Sequence, residues 1–372
     1  MIYFDSTATT APLKEVLETY QKINDIYWYN PSSMYNPASF VQTLITKASY
    51  SIKETLKLTN KNIYYTSGAT EANNLAIMGV CLPYINKEKH IITTYIEHPS
   101  VYNVFKKLEN MGFKVTYLKC ESGIVDLNEL KEALTKDTIL VSIMWVNNII
   151  GSINPIKDII EIVKNNSHAK LHVDAVQGIA KIKNDFDFDD IDMFSMTFHK
   201  IEGLKGIGAL AVNKNIKLEP LMMGGHQQDN IRPGTLDASL IVAASKTLRL
   251  GYENLYNHYN YVQKLYEYLI EKLEKISFVK INITDAPYSP YVISISFDNI
   301  KGETAMHALE AADIYVGVGS ACNEKTKTIE RAIYAITLDN TRAINMIRIS
   351  LSHHNTYQEI DILVNKIIEL GK

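Results

Sequence analysis

The stretch Ile63-Tyr64-Tyr65-Thr66-Ser67-Gly68-Ala69-Thr70-Glu71, continuing as ANNLAIMGVCL to residue 82, decides how the rest of the chain is read. Residues 63–66 are aromatic and β-branched, the composition of a strand. Residues 69–82 place apolar side chains at helical spacing. Between them lies a turn of small residues. Gly68 lets another backbone come close. The free N–H groups of the helix start, with the Thr70 hydroxyl, make an anion site suited to phosphate. The same residues also fit a plain N-cap, with Ser67 or Thr70 as the cap and Glu71 at the positive helix end.

Outward from this unit the alternation repeats. Residues 90–95, 114–118, 138–144, 171–174, 193–196 and 208–212 read as strands, and 99–110, 127–134 and 156–164 as helices. Strands alternating with helices predict a mostly parallel sheet covered on both faces, with ligands beyond the carboxyl ends of the strands. After Thr235 the pattern changes. Residues 238–274 read as a long helical stretch, one helix or two joined near Gly251. Strand-like runs at 279–283, 291–297 and 347–351, with helices at 303–312 and 358–370, predict a second, α+β unit. No repeat or Pro/Gly linker separates the two.

The 372 residues are ordinary in composition, 46% hydrophobic and 21% charged, which argues for a globular chain with a large core. A net charge of -3 gives no sign of a nucleic-acid partner. Three cysteines, Cys81, Cys120 and Cys322, with no CxxC spacing, speak against a disulfide framework or structural zinc, and for a reducing compartment. The N-terminus lacks the charge and apolar run of a signal peptide, and no apolar run reaches the ~20 residues of a membrane span. A cytoplasmic protein is expected.

Several polar residues stand where a core would not need them. Asp174 ends the apolar strand of His172-Val173-Asp174-Ala175-Val176-Gln177. A carboxylate there needs a cationic partner, such as a protonated pyridine nitrogen, or it caps a following helix. Lys200 ends Ser195-Met196-Thr197-Phe198-His199-Lys200, where burial would lower its pKa and permit a Schiff base; a surface lysine at a strand end reads the same way. Cys322 closes Gly317-Val318-Gly319-Ser320-Ala321-Cys322, a run of small residues that suits an exposed, mobile thiol, although most free cysteines are core residues. Cys81 and Cys120 fit the core reading. A polar loop from Gly224-Gly225 to Arg232-Pro233-Gly234-Thr235 could reach an anion or a second subunit.

Taken in order, these residues make the chain resemble the NifS/IscS-like cysteine desulfurases, in the class V group of fold type I pyridoxal-phosphate-dependent transferases. The likeness runs from Asp5-Ser6-Thr7-Ala8-Thr9-Thr10 to Arg348-Ile349-Ser350-Leu351. It is carried by TSGATEANNLAI, Glu97-His98, VSIMWVNN, HVDAVQ, His199-Lys200, RPGT and GSAC. The resemblance implies an α/β fold: a large cofactor-binding domain over 13–250 with a mostly parallel, seven-stranded type of sheet covered by helices, and a smaller α+β domain from 1–12 and 251–372 that carries the cysteine loop.

It also implies roles. Lys200 would bind pyridoxal 5'-phosphate covalently and act as acid and base at the substrate's α-carbon. Asp174 would pair with the pyridine nitrogen, Gln177 with the phenolic oxygen, and His98 would stack on the ring and serve as a catalytic proton relay. Ala69, Thr70, Thr197 and His199 would hold the phosphate. Thr235 would reach the phosphate in the partner of a homodimer. Asn147 would contact cofactor and substrate, and Asn36 and Arg348 the substrate carboxylate. Cys322 would take sulfur from L-cysteine as a persulfide and leave alanine, for delivery to an acceptor or scaffold protein in iron–sulfur cluster or thiolation pathways. Neither nucleic acid nor membrane is an expected partner, and no metal is expected.

The chain departs from the family pattern at several positions. Trp145 stands where His is usual and Ile149 where Glu is usual. Glu202 and Leu204 replace Tyr and Pro, Phe198 replaces a small residue, and Thr197 stands for Ser. The loop over 323–329 is a few residues short. Another class V enzyme, such as a selenocysteine lyase or an aminotransferase, is the alternative; an aminotransferase would not need Cys322. A scaffold that kept the fold without catalysis would not need Lys200, Asp174, His98 and Arg348 together.

Overall fold

A computed structural model describes residues 1–319 and 329–371. The chain starts with β1 (Ile2–Phe4) and two helices, α1 (Lys14–Ile26) and α2 (Asn36–Thr55). The alternating region follows: β2 (Lys61–Thr66), α3 (Ala69–Cys81), β3 (His90–Thr94), α4 (Pro99–Asn110), β4 (Lys114–Leu118), α5 (Leu127–Ala133), β5 (Thr138–Met144), α6 (Ile156–Asn166), β6 (Lys170–Asp174), β7 (Met193–Thr197) and β8 (Gly208–Asn213). Helix α7 (Ala238–Leu273) leads into β9 (Val279–Ile281), β10 (Val292–Phe297), α8 (Gly302–Glu310), β11 (Ile314–Val318), α9 (Arg331–Thr337), α10 (Asn340–Ile344), β12 (Met346–Ser350) and α11 (Tyr357–Leu370).

The larger sheet has seven strands in the order β2-β8-β7-β6-β5-β3-β4. Strands β3 to β7 run parallel, and β8 runs antiparallel to β7 and β2. The mostly parallel α/β sheet expected from the alternation is present. Successive residues of a strand face opposite ways. Ile91, Leu140, Met193 and Leu210 turn to the face covered by Leu75 of α3 and by Val101 and Phe105 of α4. Their neighbours Ile92, Val141, Phe194 and Ala211 turn to the other face, against Ile156, Ile159 and Val163 of α6 and Ile241, Ala244 and Leu248 of α7. Burial on both faces is why these strands read as unbroken apolar runs. Each fully buried Ile or Leu contributes roughly 1.5–3 kcal/mol, so both helical layers are held firmly.

The smaller sheet has the order β1-β11-β12-β10-β9. Its strand β1 lies parallel to β11, so the start of the chain is built into the C-terminal unit. Two sequence expectations change here. Helix α7 is one helix of 36 residues, unbroken at Gly251. A Cβ at Gly251 would come within 2.8 Å of the Ala180 Cβ, so the glycine serves close packing and not a joint. The 250/251 division therefore falls inside a continuous helix. Residues 317 and 318 belong to β11, paired with Arg348 and Ile347 of β12, and are not part of a loose run. Gly317 is small because a Cβ there would come within 2.8 Å of Asp5 Oδ1 and 2.9 Å of Arg348 Nη2. Among the described residues no helix is long and apolar enough to cross a membrane.

Candidate active site

Strands β3, β5, β6 and β7 end at one edge of the sheet, so the residues beyond their carboxyl ends converge. They surround a cavity of about 450 Å³. Eight of the expected residues line it: Ala69, Thr70, His98, Asp174, Gln177, Thr197, His199 and Lys200.

At the helix start no side chain acts as the cap, and Gly68 is the N-cap of α3. The Glu71 carboxylate instead accepts from the Ser67 N–H at 2.7 Å, and the Thr66 hydroxyl donates to the Gly68 carbonyl at 2.9 Å. The first N–H groups of α3 are left to face the cavity. A Cβ at Gly208 would lie 2.6 Å from the Gly68 carbonyl carbon, so strand β8 presses against this turn and fixes it.

Asp174 is buried, and both of its oxygens are bonded: Oδ1 accepts from the Val176 N–H at 3.1 Å and Oδ2 from the Asn73 amide at 2.8 Å. The same Asn73 amide donates to the Ser100 hydroxyl at 2.8 Å, which lies 2.8 Å from His98 Nδ1. His98 Nδ1 also accepts from the Ser100 N–H at 3.1 Å. Nδ1 is thus an acceptor, and the imidazole carries its proton on Nε2. Burial keeps the His98 pKa below the usual histidine value, against the pull of Asp174.

The Lys200 amine has no hydrogen-bond or ion-pair partner among the described residues. Burial lowers its pKa to about 8; Asp174 opposes this and Arg348 adds to it. His199 is held by Thr9, with Nδ1 3.1 Å from its hydroxyl oxygen, and burial followed by the nearby lysines lowers its pKa to about 4. Gln177 is fixed at both ends. Its Nε2 donates to the Thr7 carbonyl at 3.2 Å and its Oε1 accepts from the Lys181 amine at 3.3 Å.

Arg348 is buried on β12, outside the cavity lining. It donates to Asp5 Oδ1 at 2.7 Å and to the Asn148 carbonyl at 3.0 Å, while its Nε has no partner among the described residues. Asn148, not Asn147, lines the cavity. Asn147 is fully buried and committed to its own turn: Nδ2 donates to the Ile96 carbonyl, and Oδ1 accepts from the N–H groups of Ile149 and Ile150. Asn36 and Thr235 are exposed and lie outside the lining. Cys322 lies outside the described residues. Its described flanks, Gly319 and Glu330, are neighbours: a Cβ on Gly319 would sit 3.0 Å from the Glu330 Cβ. Next to them Arg331 donates to the carbonyls of Tyr95 and Glu97, which fixes the turn that presents His98.

Sequence reasoning missed Asn73, Ser100, Lys181 and Asp5, which position the site from behind. Asn73 carries the only usable signal: a polar side chain on the buried face of a helix needs a partner. The departures also find their places. Trp145 is buried against Phe186 and Phe188, with ring centroids 5.0 and 6.0 Å away, and Gly178 lies flat against its ring.

The class-V aminotransferase family model matches residues 2–363. A NifS/IcsS protein homolog of Lactobacillus delbrueckii subsp. bulgaricus is 37% identical, over 100% of this chain and 97% of that one. The cysteine desulfurase IscS of Methanosarcina thermophila is 36% identical, over 99% of this chain and 91% of that one. A solved structure of a NifS-like protein superposes with a TM-score of 0.92 at 33% identity, covering 99% of this chain and 98% of that one. The chain belongs to the class-V aminotransferase family, in its NifS/IscS-like group of cysteine desulfurases.

Proposed function

We propose that this protein is a pyridoxal-phosphate-dependent cysteine desulfurase that converts L-cysteine to L-alanine and takes up the sulfur on Cys322. The observation that carries the reading is the partnerless Lys200 amine, set beside Asp174 in a cavity that also receives the uncapped start of α3. The cavity suits the cofactor on three counts. Helix N–H groups and the Thr70 hydroxyl offer a phosphate site, Asp174 offers a carboxylate for a protonated ring nitrogen, and Lys200 offers an amine that burial keeps partly neutral.

Pyridoxal phosphate, when bound, would supply an electron sink for the carbanion that forms at the substrate's α-carbon. The chain's own residues do the rest. Asp174, held by Asn73 and the Val176 N–H, would favour a proton on the ring nitrogen. Gln177 is oriented by Lys181 at Oε1 and by the Thr7 carbonyl at Nε2, which leaves one amide N–H as a donor. Lys200 takes the proton from the α-carbon and returns it. Arg348, held behind the lining by Asp5 and the Asn148 carbonyl, would have to exchange one of these partners to bind the substrate carboxylate. The Cys322 thiolate then attacks the substrate sulfur: a bond forms between the two sulfurs, the bond from sulfur to Cβ breaks, and the electron pair stays with the carbon skeleton, which leaves as alanine after protonation.

We further place the enzyme in the cytoplasm as a homodimer, serving an acceptor in iron–sulfur cluster or thiolation chemistry. The exposed Thr235, away from its own chain's cavity, supports a role for its loop in the partner's site. That loop is tied to the phosphate turn, because Arg232 Nε donates to the Glu71 carboxylate at 2.8 Å.

The decisive experiment gives purified protein pyridoxal phosphate, L-cysteine and a reductant, and measures alanine and sulfide. One alanine per sulfide is expected, with both lost in Cys322→Ala. Alanine at the wild-type rate in that variant would move the sulfur acceptor elsewhere. Arg348→Lys is expected to raise KM for cysteine about ten- to a hundredfold with a smaller change in kcat, since one charged hydrogen bond contributes roughly 1.5–3 kcal/mol. An unaltered KM would remove Arg348 from substrate binding.

A further inference from the structure

On the far side of the Lys200 turn, three segments distant in sequence bring imidazoles and a carboxylate together. Glu202, His258 and His353 each offer a ligand atom, and these atoms lie within 4.8 Å of one another. The His258 and His353 rings are stacked with centroids 3.6 Å apart at 9°. His353 Nε2 is 3.5 Å from Glu202 Oε1, and His354 Nε2 bonds the same oxygen. Among the described residues, no protein group hydrogen-bonds the His258 ring.

We propose that Glu202, His258 and His353 form a binding site for a zinc-like divalent transition metal, with His354 beside it. Two imidazoles and one carboxylate are a set that zinc takes in sites with an open fourth position. The group borders a cavity of about 590 Å³, so that position is open to water or a small anion. Zinc–ligand bonds of ~2.0–2.2 Å place neighbouring ligand atoms ~3.3 Å apart, so the two stacked imidazoles must turn out of their parallel arrangement to share one ion.

The backbone that carries these side chains is held in place. Glu202 holds a left-handed conformation, φ 65°, uncommon for a residue with a side chain. Its N–H donates to the Thr10 hydroxyl at 2.7 Å and its carbonyl accepts from Leu13. The loop carrying His353 is fixed by Asn355, whose Oδ1 accepts from the Ser352 N–H at 2.9 Å and whose Nδ2 donates to the Tyr3 carbonyl at 3.1 Å. Tyr261, one turn beyond His258 on α7, donates to the Asn355 carbonyl at 2.9 Å. Metal in this site would clamp the Lys200 turn, α7 and the loop after β12 together. Lys200 lies two residues before Glu202, and Arg348 five before His353.

The test treats cofactor-loaded protein with a chelator, dialyses it against Zn²⁺ and measures bound metal by elemental analysis, with Tm followed in parallel. One zinc per chain and a rise in Tm of several degrees are expected. Cys322→Ser should retain the metal, which separates this site from thiol binding. Glu202→Gln, His353→Ala and His258→Gln should each weaken zinc binding at least about tenfold and cancel the rise in Tm. Cofactor absorbance and far-UV circular dichroism report whether each variant is folded, and any one folded variant is sufficient. No bound zinc in the parent protein, or zinc kept by every folded variant, overturns the proposal.

Discussion

Lys200→Ala is expected to lower cysteine turnover by about a thousandfold or more and to remove the visible absorbance that comes from the lysine-bound cofactor. A positioned acid–base group contributes about 10²- to 10⁴-fold, and Lys200 also carries the attachment. Its surroundings give the result a pH signature. Burial disfavours the charged ammonium, so the folded pKa, about 8, lies below the ordinary lysine value. Only the neutral amine attacks an aldehyde. Below that pKa the neutral fraction grows about tenfold per pH unit, and above it the fraction levels off. The rate at which cofactor-free protein takes up pyridoxal phosphate should therefore rise from about pH 6 and flatten above about pH 8. Stopped-flow absorbance measures it. A profile still climbing at about pH 10 would mean that Lys200 behaves as an exposed lysine. Normal turnover in Lys200→Ala would refute its role outright.

The second large effect is on stability. A methyl group at residue 178 would lie 2.1 Å from Cε3 of Trp145 and 2.4 Å from Cδ2. The indole has nowhere to go: it is 2% exposed and edged by Phe186 and Phe188. Gly178→Ala is expected to cost about 3 kcal/mol, the upper range for overpacking. Trp145→His alone should also destabilise, because it leaves a cavity. The two changes occupy the same space, so the double variant should be less destabilised than the sum of the singles by about 2 kcal/mol. Denaturant midpoints of the four proteins test this. Strict additivity would show that the contact does not govern either residue. Room for the Trp145 indole is, on this account, made by the glycine opposite it.

How much of this was readable from sequence depends on distance along the chain. The alternating strands and helices from 63 to 212 were legible because most of the strands are buried on both faces. Helix α2 was not read, although Ala38, Val41, Ile45, Ala48 and Ile52 keep the helical period. Helix α1 was not read either: only Val16 and Ile23 are buried. Strand β11 was obscured by Gly317, whose place is decided by strands from opposite ends of the chain. The lining residues of the cavity could be named because they sit in short motifs at strand ends. Asn73 and Lys181 act through other side chains, and no local pattern announces that. Glu202, His258 and His353 are more than fifty residues apart and share no spacing at all.

Helix α7 has a consequence for the protein's history. Its first half turns Ile241, Ala244 and Leu248 to the large sheet, and its second half turns Val262, Leu265, Leu269 and Leu273 into the core beside the small sheet. Both halves keep one helical phase across Gly251. An inserted or deleted residue in this stretch would rotate everything beyond it by about 100° and carry the second set of side chains off their partners. The helix therefore fixes its own length. Gains and losses of residues among descendants must collect in the loops, and residues 238–273 should serve as the ruler against which such changes are counted.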